Sequence, residues 1–419
     1  MSRSRRLAAP SSAAPSIEDV VRSVFAPHLA PAGEPGLARR LTRRWRHTLG
    51  RLRPLGGMSV GNRVELFTDG DALFEALWAA IDAARERVLL STYILADDRV
   101  GRRTIAALAA AAERGVEVLL RYDSVGSLGL GEGDTERLRR AGGRAVAFNP
   151  LLTLRSRLSR RVVRDHRKVA VVDGTTAFCG GMNVAEEYAG ERHGTGLFHD
   201  AHLRLEGPAA GQLEALFADA SGPPARARFE TTPRPVDGTF LQVLESNRWR
   251  RRRAIQRAMR YTLSRAEERA YLASPYFLPP RRLRRALTSA AQRGVDVRIL
   301  TAGPSDVPIV RVASQHVYGR FLRAGVRIFE LQERVLHAKT VVIDGVYASV
   351  GSFNLDLLSD RYNHEVNATM LDRRLGAALE AQLQRDFAGA REVTLESWEN
   401  RGAVARVLGW IVYKLSRLL

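Results

Sequence analysis

The stretch HRKVAVVD, residues 166–173, returns as HAKTVVID at residues 337–344. Each copy sets a histidine two residues before a lysine and runs into β-branched residues. The chain holds 65 lysines and arginines, yet only Lys168, Lys339 and Lys414 are lysine, and two of these lie in the repeat. Where arginine serves nearly every other basic position, a retained lysine marks a demand for a compact ammonium donor. After each copy comes a small-residue step ending in asparagine: FCGGMN at 178–183 and SVGSFN at 349–354. Gly-Gly and Gly-Ser let backbone approach an anion, and Asn183 and Asn354 supply amide donors.

Brought together, the two copies offer two imidazoles, two ammonium groups and two carboxamides, an inventory that suits a phosphoryl group. Lysine and asparagine neutralise and orient the non-bridging oxygens without requiring a metal. One histidine attacks phosphorus to give a covalent intermediate; the other protonates the leaving oxygen and then activates the incoming hydroxyl. Local sequence does not assign the two roles. Each imidazole needs a carboxylate to fix its tautomer, and Asp200 in FHDAHLRLEG and Glu365 in YNHEVNATM are the candidates. His193, His199 and His202 with Asp200 offer a competing metal-cluster reading, against which stands the absence of a matching set in the second half.

These side chains need strands to aim them. Alternation along an extended segment turns His166 and Lys168 to one face and Asp173 to the other. Asp173-Gly174 and Asp344-Gly345 read as turns closing each strand. From residue 58 the chain alternates strand and helix: VELF, a helix near 70–85, RVLLSTYIL, a helix near 100–114, then GVEVLLRYD. AEERAYLASPYFLP echoes ARERVLLSTYIL, and AAQRGVDVRIL echoes AAERGVEVLLR, so three segments recur in the same order. That order predicts a duplicated α/β domain. The division expected is a basic Pro/Ala/Arg-rich extension over 1–57, domains over 58–225 and 226–392 joined through 221–238, and an amphipathic C-terminal helix over 393–419.

The net charge of +20 favours polyanionic partners, whether nucleic acid or anionic lipid. A single cysteine, Cys179, excludes an internal disulfide framework and a cysteine-built zinc site. No apolar run approaches the ~20 residues of a membrane span. Two amphipathic stretches suggest attachment to a membrane surface instead. One is the Leu37, Leu41, Trp45, Leu49, Leu52 stripe; the other is the C-terminal face of Val404, Val407, Leu408, Ile411, Val412, Leu415, Leu418 and Leu419 opposite Arg406, Lys414 and Arg417. The bland alternatives are a solvated basic arm and a helix docked on its own domain. Arg155, Arg157, Arg160, Arg161 and Arg164 form a basic run ahead of the first copy, suited to lipid phosphates or to plain solvent.

Two copies of His-x-Lys-x₄-Asp, each followed by Gly-Gly/Ser-x-Asn, resemble the phospholipase D superfamily. DGDALFEALWAAIDAARERVLLSTYILADDRVGRRTIAALAAAAERGVEVLLRYDSVGS and HAKTVVIDGVYASVGSFNLDLLSDRYNHEVN are similar to bacterial cardiolipin synthases of that type, over roughly residues 60–390. Some of those synthases begin with transmembrane helices, and this chain is more like the shorter members. The resemblance implies two phospholipase D-like α/β/α layered domains packed by a pseudo-twofold axis, with one active site at their interface. It implies a catalytic set of His166, Lys168, Asp173, His337, Lys339 and Asp344, with Asn183 and Asn354 binding substrate, Asp200 and Glu365 supporting, and no cofactor or metal. His166 is then the nucleophile of a phosphatidyltransferase that makes cardiolipin from phosphatidylglycerol. The expected partner is anionic phospholipid at the cytoplasmic face of the cell membrane, with peripheral attachment and no nucleic acid. The alternatives are a phospholipase D-type hydrolase, another transphosphatidylase, a nucleic-acid phosphodiesterase, or a non-catalytic lipid-binding protein.

Overall fold

Several helices in this chain begin at aspartate caps. Asp69 accepts from the Ala72 N–H at 2.8 Å to start helix Gly70–Asp82, and Asp98 accepts from the Gly101 N–H at 2.8 Å to start Arg99–Glu113. The computed structural model describes residues 35–131, 133–150, 163–218, 229–230, 238–247 and 253–415. The expected joint at 221–238 lies almost wholly outside the described residues.

The first half contributes β1 (Gly57–Phe67), β2 (Arg87–Thr92), β3 (Glu117–Asp123), β4 (Arg144–Phe148), β5 (Val169–Val172), β6 (Thr176–Gly180), β7 (Phe198–His199) and β8 (His202–Glu206). After the short β9 (Phe229–Glu230) come β10 (Thr239–Ser246), β11 (Arg269–Ala273), β12 (Asp296–Ala302), β13 (Arg327–Leu331) and β14 (Val335–Leu336). β15 (Thr340–Ile343), β16 (Tyr347–Gly351), β17 (Glu365–Leu371) and β18 (Arg391–Val393) complete the second half.

Their pairing order is β18-β13-β12-β11-β15-β16-β17-β10-β1-β8-β6-β5-β2-β3-β4. Read outward from the β1–β10 joint, the two wings repeat each other: β8 matches β17, β6 matches β16, β5 matches β15, and β2-β3-β4 match β11-β12-β13. β2-β3-β4 and β11-β12-β13 pair in parallel, and the other neighbours along this order are antiparallel. One apolar cluster takes Val171, Cys179 and Leu203 from the first half and Val342, Val350 and Ala368 from the second, so the wings also pack on each other. The duplicated, pseudo-twofold α/β architecture is therefore the fold.

The N-terminal helix departs from both readings of its sequence. It runs from Pro35 to Leu52 and buries Trp45, Leu49 and Leu52 in the core of the second half. Trp45 stacks on Tyr347 with ring centroids 5.8 Å apart, and Arg44 pairs with Glu267 at 2.9 Å and with Asp344. An i, i+4 apolar stripe is the same signal whether lipid or protein covers it, and here protein does. Residues 43–57 thus belong to the folded body and not to an extension. Leu37 and Leu41 have side chains outside the described residues.

The C-terminal helix Ala403–Leu415 docks through buried Gly409, which sits against His316 and Val312 of helix Pro308–Leu322. The stripe Val404, Val407, Leu408, Trp410, Ile411 and Leu415 remains exposed, Val404 at 82%. Arg417, Leu418 and Leu419 lie outside the described residues. No described helix is long and apolar enough to cross a membrane.

Candidate active site

The repeated histidines and lysines sit one step before the strands, in the extended segments that enter β5 and β15. Their backbones pair across the molecule instead of extending the ladder. The His166 N–H donates to the His364 carbonyl at 3.0 Å, and the His364 N–H donates to the Arg164 carbonyl at 2.8 Å. The reciprocal link joins β14 to β7 in parallel, with the His337 N–H donating to the His199 carbonyl at 2.8 Å. Each motif is therefore held by the residue just before the other half's candidate carboxylate.

That exchange crosses the two dyads. His166 Nδ1 lies 3.1 Å from Glu365 Oε2 and 3.2 Å from the Ser352 carbonyl. His337 Nδ1 lies 2.6 Å from Asp200 Oδ2. Both carboxylates are the nominated ones, and each serves the histidine of the opposite half. Lys168 Nζ donates to the His166 carbonyl at 2.7 Å; Lys339 Nζ lies 2.7 Å from His337 Nδ1 and also donates to the His337 carbonyl. All six side chains are buried.

Burial, the neighbouring ammonium groups and the paired charges set the protonation. Burial lowers the pKa of both imidazoles, against the pull of Glu365 on His166, and the two lysines push His337 down further. A neutral His166 ring, whose Nδ1 faces only acceptors, donates from Nδ1 to Glu365 and leaves its Nε2 lone pair free for chemistry. Burial also lowers Lys168 to about 7 and Lys339 to about 8. Burial raises Asp200, whereas for Glu365 the raising effect of burial is outweighed by His166, Lys168 and the Ser352 hydroxyl, and its pKa falls.

The motif aspartates stand apart from this chemistry. Asp173 and Asp344 occupy left-handed turn positions with φ of 49° and 52°, followed by Gly174 and Gly345 at 63° and 64°. Asp173 accepts from the N–H groups of Arg85, Glu86 and Arg87 at 2.9–3.0 Å. Asp344 accepts likewise from Glu267, Glu268 and Arg269 at 2.9–3.1 Å. They tie each hairpin to the strand beside it, so their place in the catalytic set is corrected to a structural one, as the strand alternation predicts.

Three further expectations are altered. Asn183 is spent inside the protein, accepting from the Ile94 N–H at 3.1 Å and donating to Tyr188 Oη at 2.7 Å. Its counterpart Asn354 keeps a buried carbonyl oxygen without a partner among the described residues. The glycine step serves the protein's own anion: a Cβ on Gly181 would meet Asp200 Oδ1 at 2.1 Å. At the matching position Ser352 carries a hydroxyl that donates to Glu365 Oε2 at 2.5 Å. The metal reading also dissolves, because His193 Nε2 faces Glu75 at 3.0 Å, His199 Nε2 faces Asp386 at 3.0 Å, and Asp200 is committed to His337. The topology does supply a match in the second half, since His199-Asp200 is equivalent to His364-Glu365. Among the described residues no three such groups converge as a metal site would require.

Sequence reasoning missed the aromatic and hydroxyl neighbours. Tyr188 Oη lies 3.4 Å from His337 Nε2, and Tyr93 stands edge-on to His166 with centroids 5.0 Å apart. Ser359 donates to Glu365 Oε1 at 2.7 Å. Tyr188 and Ser359 hold equivalent positions, 171 residues apart like the two histidines (359 against 188), but their unlike side chains hide the equivalence. Arg164 points inward to Asp123 at 3.4 Å and not to lipid; Arg155, Arg157, Arg160 and Arg161 lie outside the described residues.

Two mirrored wings that place a His-Lys pair and a carboxylate on each side of one seam define a phospholipase D-type fold. A phosphatidylserine synthase from Haemophilus influenzae Rd KW20 has the same fold, with a TM-score of 0.67 over 90% of this chain and 98% of that one at 14% identity. A polyphosphate kinase from Porphyromonas gingivalis superposes with a TM-score of 0.56 over 85% of this chain and 53% of its own, at 17% identity. The family described as "Cardiolipin synthase, PLD-like domain" matches residues 77–219 and 259–387. Cardiolipin synthase A of Pseudomonas aeruginosa is 38% identical over 368 residues, covering 85% of this chain and 73% of that protein. The Pseudomonas fluorescens protein of the same name is 37% identical over 345 residues, covering 80% and 71%. The chain belongs to the cardiolipin synthase family of the phospholipase D superfamily.

Proposed function

We propose that this protein is a phosphatidyltransferase that joins two phosphatidylglycerol molecules into cardiolipin and releases glycerol. The observation that carries the reading is the pair of crossed His–carboxylate dyads, each with its own buried lysine, at one seam. The donor's phosphodiester lies between the two ammonium groups, which take up its non-bridging oxygens. His166 Nε2 attacks phosphorus, the bond to the glycerol oxygen breaks, and His337 Nε2 gives that oxygen its proton. The phosphodiester's negative charge raises the pKa of His337 on binding, so the ring takes up this proton from solvent before the bond breaks. In the second step the acceptor hydroxyl passes its proton back to His337 and its oxygen displaces His166 from phosphorus.

Two features support His166 as the nucleophile. Its Nε2 has no protein partner among the described residues, whereas Tyr188 Oη already faces that of His337. Glu365, kept ionised, lies behind the ring that becomes cationic when phosphorylated. The substrate of this family is a phospholipid, which puts the protein at a membrane. Attachment is peripheral through the exposed apolar stripe of the C-terminal helix, and the positive net charge favours the anionic cytoplasmic leaflet.

Purified protein mixed with phosphatidylglycerol vesicles is expected to yield cardiolipin and glycerol in equal amounts, lost on His166→Ala. Cleavage of DNA or RNA with no lipid product would replace this reading with a nucleic-acid phosphodiesterase.

A further inference from the structure

The pseudo-twofold breaks down beside the active site. Helix Leu357–Arg361 follows the second asparagine and lines a cavity of about 490 Å³, within the size range of ligand pockets. Leu278, Pro279, Val310, Val317, Leu357 and Leu358 give it an apolar wall. Arg281, Arg282 and Arg361 stand exposed around it and make no hydrogen bond or ion pair among the described residues. In the first half the positions of Leu357 and Leu358 carry Glu186 and Glu187. Glu186 accepts from the Arg99 N–H at 2.8 Å and pairs with its guanidinium at 3.5 Å. One flank of the site thus carries two carboxylates, and the other is apolar and basic.

Two elements that line this cavity also reach the His166–Glu365 dyad and the surface. Ser359, on the same short helix, donates to Glu365, the carboxylate that holds His166. Asp356, at the cavity wall, caps that helix by accepting from the Ser359 N–H at 2.7 Å. On the outer side Tyr413 of the C-terminal helix lines the cavity and accepts from Arg284 at 3.0 Å. That helix is the one whose apolar stripe, with Trp410 at 51%, faces outward.

We propose that this cavity seats the acceptor phospholipid, an anionic lipid drawn from the bilayer on which the C-terminal helix lies. An apolar wall ringed by free guanidinium groups complements an acyl chain joined to a phosphate. Arg281 and Arg282 take the phosphate, the Leu357–Leu358 side takes the upper chain, and the headgroup hydroxyl is directed toward phosphorus on His166. The proposal rests on the transfer reading above and names the second substrate's place in it. Transfer forms the bond from the acceptor oxygen to phosphorus, breaks phosphorus–nitrogen, and moves the hydroxyl proton to His337. Water reaching the same intermediate gives phosphatidic acid instead.

The test compares the full-length wild type with Arg281→Glu/Arg282→Glu and, separately, Leu358→Trp, on vesicles of phosphatidylglycerol in phosphatidylcholine, quantifying cardiolipin and phosphatidic acid. The ratio of cardiolipin to phosphatidic acid is expected to fall about tenfold for the charge reversal and to fall also for the cavity-filling variant. An unchanged ratio in both variants, with the wild type making cardiolipin, overturns the acceptor site alone. A wild type that makes phosphatidic acid and no cardiolipin overturns the transfer reading and the acceptor site together. Inorganic phosphate at millimolar concentration lowering the ratio as effectively as the variants would point to a simple anion site and overturn the lipid assignment.

Discussion

The two halves differ sharply where the repeated histidines are flanked. Around His166 stand Asp165 and Arg167, a buried bidentate ion pair with contacts of 2.7 and 2.8 Å. At the same positions around His337 stand Leu336 and Ala338, both buried and apolar. The carboxylates differ too: Glu365 is met by the hydroxyls of Ser352 and Ser359, whereas Asp200 gains its place because Gly181 has no side chain. Histidine, lysine and a carboxylate stand in both halves, as the proposed attack on phosphorus requires. How each is buried is settled locally, by a salt bridge in one half and by aliphatic packing in the other.

The comparison breaks most severely at the histidines. His166→Ala and His337→Ala each remove a group worth roughly 10²- to 10⁴-fold, but unequally in a single-turnover assay with a donor bearing a p-nitrophenyl leaving group. His337→Ala is expected to retain the burst, because that leaving group needs no proton, and His166→Ala to lose it. A burst in His166→Ala reverses the roles.

Next in size come the crossed carboxylates. Glu365→Gln is expected to cost about 10²-fold or more in turnover by spoiling His166, and to suppress the same burst. Asp200→Asn is expected to slow overall turnover while sparing the burst, since Asp200 serves His337. If Asp200→Asn abolished the burst and Glu365→Gln did not, the dyads would not be crossed as described.

The pH profile sharpens the electrostatic side. A lowered His166 pKa keeps the nucleophile's base form available below the ordinary 6.5, so the acid limb of kcat/KM is displaced downward. A lowered ammonium pKa removes the phosphate-binding charge early, so the alkaline limb falls from about 7 to 8 and not near 10.5. A plateau persisting to pH 10 would contradict the burial described for the two lysines.

The smaller effects are on stability. Arg167→Ala alone leaves Asp165 buried and unpaired and is expected to cost about 3–5 kcal/mol. The double change Asp165→Leu/Arg167→Ala, which copies the second half, is expected to cost less than the single one. Asp344→Asn weakens a turn that also holds Arg44 of the N-terminal helix, and a loss of about 1–3 kcal/mol is expected; Asp173→Asn, with no such ion pair, is expected to lose less. Denaturant unfolding measures all four, and equal losses at the two aspartates would deny the N-terminal helix its part.

Much of this was legible from residues alone. A duplicated His-x-Lys in a chain poor in lysine marked the reacting groups, and the Asp-Gly dipeptides marked the turns. The crossing was not legible, because a repeat says which residues are equivalent and not which half supplies a partner; that depends on the bridges His166–His364 and His337–His199 between segments far apart in sequence. Nor was the fate of the N-terminal helix, whose apolar stripe carries no sign of the Tyr347 ring that covers Trp45. The glycine step was read as room for substrate, and only the position of Asp200 shows whose anion fills it.

The proposed mechanism has one nucleophile in one shared site. Incubating the protein with phosphatidylglycerol, quenching in alkali where a phosphoramidate survives, and mapping the adduct by mass spectrometry tests this directly. A phosphatidyl group on His166 and none on His337 is expected; an adduct on His337 alone, or on both in comparable amounts, would rule out His166 as the single nucleophile.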